Sequence, residues 1–172
     1  MPPDVRTEIG ASAEDVAAYL DQDEWEFALD LLGDFGGIAW QPGEYWSLLA
    51  NAAEELHLPC KWFHWRANET RQGMIRVELT HERRHPIPGQ GVYRPLWHVG
   101  GGDHRVAAVW VEGRAELAPG DHAVVRLLAL SPEGWDHLVP GDVVTMHEGQ
   151  PVVGTATVIE LARVGETRRR DR

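Results

Sequence analysis

The chain has 172 residues, room for one medium domain or two small ones, and its 43% apolar fraction excludes wholesale disorder. Its formal net charge of −11 sits entirely in the first third: residues 1–62 hold thirteen acids against Arg6 and Lys61, and the remainder balances fourteen acids with fourteen bases. A face this acidic repels nucleic acid and anionic membrane and steers basic partners toward it. The single cysteine, Cys60, excludes an intrachain disulfide and a tetrathiolate zinc site. No apolar run approaches a membrane span, and Met1-Pro2-Pro3-Asp4 carries neither part of a secretion signal. A cytoplasmic protein without membrane contact is expected.

In chain order, Ser12 with Asp15 forms a capping-box pattern ahead of Val16, Tyr19 and Leu20 at helical spacing. Asp23 is expected to cap a second helix with the stripe Trp25, Ala28, Leu29 and Leu32, ended by Gly36-Gly37. After Pro42-Gly43, Tyr45, Leu48, Leu49, Ala52, Ala53 and Leu56 lie on one face of a third helix that Pro59 stops. Three helices this short are marginal alone, so docking on the second half is expected. Residues 61–73, with Trp62, Phe63 and Trp65, read as a packed connector or a first strand.

The rest reads as β-structure. Ile75, Val77 and Leu79 alternate with Arg76, Glu78 and Thr80, the period of a half-buried strand. Further strands are expected at Tyr93–Val99, Val106–Glu112, Ala123–Leu130, Asp142–His147 and Val152–Leu161. Glycine- and proline-bearing turns separate them, which points to a barrel or sandwich.

Three segments of this second part resemble the third domain of elongation factor Tu, a six-stranded barrel. Arg84-His85-Pro86, then Gly91 and Tyr93-Arg94-Pro95, resembles that family's Arg-His-Thr-Pro stretch leading to Gly-Tyr-Arg-Pro. Pro119-Gly120-Asp121 resembles its Pro-Gly-Asp turn, and His147-Glu148-Gly149-Gln150-Pro151-Val152-Val153-Gly154 its closing hairpin. The resemblance implies a barrel of that type for the second part, and with the helical first third an α+β fold is expected. A three-helix cluster over residues 1–60 would precede the connector, an antiparallel six-stranded β-barrel of elongation-factor-Tu domain-three type would span 74–164, and a disordered basic tail 165–172. In that family this barrel contacts aminoacyl-tRNA. Here Leu96 replaces the glutamine after Tyr-Arg-Pro, and His147 and Pro151 replace hairpin arginines. No Gly-x-x-x-x-Gly-Lys-Ser/Thr loop is present, so no GTPase activity is expected. The helical third, with Trp25 to Leu32 and then Leu48 to Leu58, resembles small immunity proteins of bacterial polymorphic toxin systems. That likeness implies neutralisation of a toxin by binding.

These readings lead to an expectation of a non-enzymatic protein-binding module that uses no cofactor. Trp25, Trp40, Tyr45 and Trp46 would face a protein partner, either a basic toxin or a protein that binds a translation factor. The alternative is a translation-associated RNA binder that holds tRNA through Arg84, His85, Arg94, Glu148 and Gly149. No metal site is expected: the nine histidines include no His-x-x-x-His on a helix, and those of the second part scatter over different strands and turns. Cys60 reads as a buried structural thiol among Pro59, Trp62 and Phe63. No nucleophile–base pair is evident.

Overall fold

The computed structural model describes residues 4–7, 9–35, 40–102 and 104–162. The chain divides into two compact units, residues 1–70 and 71–172, each with its own hydrophobic core. Among the described residues no helix is long and apolar enough to cross a membrane.

Among the described residues the first unit shows four helices, one more than the sequence suggests. Helix α1 (Ala13–Asp21) opens on the expected capping box: the Ser12 N–H donates to the Asp15 carboxylate at 2.7 Å, and the Ser12 hydroxyl accepts from the Asp15 N–H. Helix α2 (Trp25–Asp34) lacks the expected Asp23 cap, because Asp23 itself takes a left-handed backbone with φ 60°. The chain must reverse there after α1, and Asp tolerates that conformation better than most residues. Glu24 stands at the N-cap without a side-chain bond. The Gly36-Gly37 stop lies outside the described residues.

Helix α3 (Gly43–Glu55) buries Trp46, Leu49, Ala50 and Ala53. The expected stripe is rotated by about one residue, and Leu48 is left 68% exposed. A buried indole at position 46 carries more apolar area than a leucine at 48 and sets the face.

The segment read as a connector or strand is helix α4 (Lys61–Gln72), which buries Phe63, Trp65 and Ala67. It also buries Arg66 and Glu69, paired to each other one turn apart, with the Arg66 guanidinium 4.7 Å from the Trp46 ring centroid. The Trp65 indole N–H donates to Glu69 at 3.2 Å. Pairing and hydrogen bonding are what allow these two charges to leave water.

The second unit is an antiparallel barrel, as expected. Strands β1 (Met74–His81), β4 (Leu96–His98), β5 (His104–Val111), β7 (His122–Ala129), β8 (Val143–His147) and β9 (Val152–Ala162) close in the order β1-β7-β5-β4-β8-β9 and back to β1. An extra strand, β3 (Gln90–Tyr93), continues along the β5 edge that β4 begins, and β2 (Ile87–Pro88) pairs with β6 (Glu116–Leu117). The single strand expected over Tyr93–Val99 is broken because Pro95 has no N–H to give a ladder.

Closure sends alternate residues inward: Val77 and Leu79 on β1, Val125 and Leu127 on β7, Val144 and Met146 on β8, all under 2% exposed. Gly154 of the closing hairpin faces this core. A Cβ there would lie 3.0 Å from the Thr80 carbonyl and from the Met146 methyl, so the close approach of β9 to β1 favours glycine, and a larger residue would have to push these neighbours aside.

Candidate functional site

Two surfaces carry the residues singled out above. On the helical unit, residues 21–27 are exposed without interruption. They comprise the end of α1, the left-handed turn and the first turn of α2. Asp21, Asp23, Glu24 and Glu26 surround Trp25, 45% exposed, and Phe27, 54% exposed. Phe27 stacks on Tyr19 with ring centroids 5.5 Å apart. Helix α2 can bury only the Ala28–Leu29 side of its first turns, so the two aromatics on the other side remain in water. With Arg6 and Lys61 the only bases before residue 62, no lysine or arginine between positions 7 and 60 offsets this ridge.

Trp40, Tyr45 and Trp46 do not join it. They form an edge-to-face ladder, Trp40 to Tyr45 at 5.3 Å and Tyr45 to Trp46 at 5.2 Å, and Trp46 stacks on Phe63 at 6.4 Å. The Tyr45 hydroxyl donates to the Leu32 carbonyl at 2.8 Å, and burial pushes its pKa up to about 12. Trp46 is 1% exposed and belongs to the core, which corrects the reading of it as a surface residue. Trp40 and Tyr45 are half-buried, and of the four only Trp25 is exposed. Sequence reasoning passes over Phe27, although it lies beside acids two residues after Trp25.

On the barrel, the loop after β1 is built around His81, which points inward and is fully buried. Its Nε2–H donates to the His85 carbonyl at 3.0 Å and its Nδ1 accepts the Arg83 N–H at 3.3 Å. The loop is thereby pinned with Arg84 and His85 exposed. Arg83 turns back instead: its Nε lies 2.7 Å from Glu148, and its guanidinium sits 4.5 Å from the Tyr93 ring centroid. The Tyr93 hydroxyl donates to the same Glu148 oxygen at 3.0 Å, and burial together with that bond raises the phenol's pKa.

Glu148 is therefore committed to Arg83 and Tyr93. Its hairpin neighbour Gly149, at φ 67°, is exposed, as is Arg94. Arg84 and Arg94 make no ion pair among the described residues, whereas Arg83 pairs with Glu148 and not with the adjacent Glu82.

The histidines are less scattered than the sequence suggests. His98 faces His104 across the β4–β5 ladder, and closure brings in His147 from β8, with ring centroids 5.7 and 4.7 Å apart. Both His147 nitrogens are engaged, Nδ1 with the Gln150 carbonyl at 3.3 Å and Nε2 with the Thr145 hydroxyl at 2.8 Å. Cys60 is half-exposed beside Glu54 and His64, not the buried thiol expected. The chain matches no protein-family model, and no curated protein matches it.

Proposed function

We propose that the protein is a non-enzymatic binding module that docks a basic protein partner on the ridge of residues 21–27. The uninterrupted exposure of Trp25 and Phe27 among four carboxylates carries this reading. Carboxylates of one sign accelerate encounter with a basic partner, and large rigid aromatics supply the desolvated area that holds it. The likeness of the helical part to immunity proteins makes a toxin the leading partner. The likeness of the barrel to the third domain of elongation factor Tu supports an extension in which the barrel occupies a surface that normally receives the translation factor.

The test is affinity purification from the native cell followed by binding measurements on the captured partner. Trp25→Ala and Phe27→Ala are each expected to weaken binding at least about tenfold, and raising salt should slow association. A partner that binds the double variant as tightly as the native chain would remove the ridge from the interface.

A second reading, RNA binding by the barrel, is favoured by the exposure of Arg84, His85 and Arg94 and by the absence of ion pairs to either arginine among the described residues. Glu148 and Gly149 contribute no cation to it. If this reading holds, tRNA binding should weaken as salt rises. Replacing both Arg84 and Arg94 by Ala should then make the slope of log affinity against log salt shallower, by about 0.9 for each phosphate that an arginine had neutralised. No detectable binding of tRNA to the native chain at low salt would dispose of the reading.

A further inference from the structure

The turn between α3 and α4 gathers three side chains of different chemistry. Helix α3 ends in a Schellman arrangement: the Leu58 N–H donates to the Ala53 carbonyl at 2.7 Å and the His57 N–H to the Glu54 carbonyl at 3.1 Å, with His57 left-handed at φ 58°. Helix α4 begins just beyond Pro59. The Cys60 carbonyl accepts the His64 N–H at 3.1 Å, so Cys60 sits at the start of α4. Cys60 and His64, four apart, share a helix face.

That face meets Glu54 in the last turn of α3. Glu54 Oε1 lies 2.8 Å from His64 Nε2 and 4.0 Å from Cys60 Sγ. The three donor atoms all fall within 4.8 Å of one another. The Glu54 and His64 side chains are 54% and 51% exposed, so the group is open to solvent.

We infer that Glu54, Cys60 and His64 form a binding site for a divalent cation of the zinc class. Thiolate, imidazole and carboxylate together are the donors of zinc and cobalt, while the harder calcium and magnesium require oxygen ligands throughout. Tetrahedral coordination at ordinary zinc–ligand lengths sets donors about 3.4–3.6 Å apart. The 2.8 Å separation must therefore lengthen and the 4.0 Å separation shorten, each by roughly half an ångström, and the Cys60–His64 pair, within 4.8 Å, must close to the same spacing. The exposed ends of Glu54 and His64 can turn to meet the half-buried thiol. Three protein ligands leave a fourth position for water or for a group on another molecule. Bound metal would tie the end of α3 to the start of α4 in a small helical unit, where such a link contributes directly to folding.

The experiment uses the full chain and cobalt(II) alone. Because Cys60 is the only cysteine, a thiolate-to-cobalt charge-transfer absorption can arise at no other place in the molecule. The expected result is that absorption at one metal per chain, displaced by zinc, with zinc also raising the melting temperature. Cys60→Ser should abolish both effects. His64→Ala and Glu54→Gln should each weaken binding by roughly 10–100-fold or more. His98→Ala, which tests the histidine group on the barrel, should leave both effects intact. The inference fails if no charge-transfer absorption develops, if His64→Ala binds cobalt as the native chain does, or if the metal binds once per two chains.

Discussion

Replacing Trp46 by Ala is expected to cost about 3–5 kcal/mol and to lower the melting temperature of the helical unit by roughly 15–30 °C. The ring is 1% exposed and packs with Leu29, Leu49 and Phe63 in the larger of that unit's two cores. It meets Tyr45 edge-on and Phe63 face-on, and the Arg66 guanidinium lies over it. Ala would therefore leave a cavity and would also strip one wall from the buried Arg66–Glu69 pair, whose charges are tolerated only while packed and hydrogen-bonded. Domains of this size hold only a few kcal/mol in reserve. Trp46→Phe should recover most of the loss, because the Trp46 indole N–H has no acceptor among the described residues and its removal sacrifices no bond there. Thermal melts followed by helical circular dichroism decide the matter. Were Trp46 a partner-binding residue, Ala would melt where the native chain does and weaken only the complex.

The β-half was more legible than the helical half, for a reason visible in individual side chains. Val77 and Leu79 alternate with Glu78 and Thr80 because a barrel strand has one dry face and one wet face, and hydropathy records that directly. Helix α4 breaks the corresponding helical rule. Its buried face includes Arg66 and Glu69, which read as solvent residues until their mutual bond and the Trp46 ring are seen. In α3, a stripe containing Leu48 and one containing Trp46 fit the same sequence, and only the neighbouring helices select between them. The same ambiguity made Trp46 look available to a partner.

The candidate surfaces divided along similar lines. Exposure of Arg84 and Arg94 follows from the loop and strand end they occupy, and the acidity of residues 21–26 is plain in the composition. The capture of Glu148 by Arg83 and Tyr93 joins residues 55 apart in the tyrosine's case, and barrel closure creates it. No local pattern announces it. Glu54, Cys60 and His64 were hidden by a turn whose left-handed residue is a histidine where glycine is the common choice.

Glu112→Gln is expected to destabilise the barrel by about 2–3 kcal/mol near neutrality, an effect that should shrink as the pH falls. The β1–β7 register sets Arg76 directly opposite Arg126, an arrangement that repels. Glu112, just after β5, resolves it. Its carboxylate takes two bonds from Arg76, at 2.9 and 2.8 Å, and one from the Arg126 Nε at 2.7 Å. Glu160 adds only a longer interaction with Arg76, at 3.4 Å.

Burial by itself would raise the Glu112 pKa, but the Arg76 and Arg126 guanidiniums outweigh it and hold the carboxyl below its ordinary value of 4.5. A carboxyl depressed by folding stabilises the native state fully above its ordinary pKa, and the contribution disappears as the pH drops through the depressed one. The native barrel should therefore lose stability in acid through this group, whereas Gln, which does not titrate, should not. Denaturant midpoints for the two chains should accordingly stand well apart at about pH 7 and draw together as the pH falls below 4.5. A gap of constant size across that range would mean that the glutamate acts through shape and packing, and that the repulsion between Arg76 and Arg126 is relieved by solvent alone.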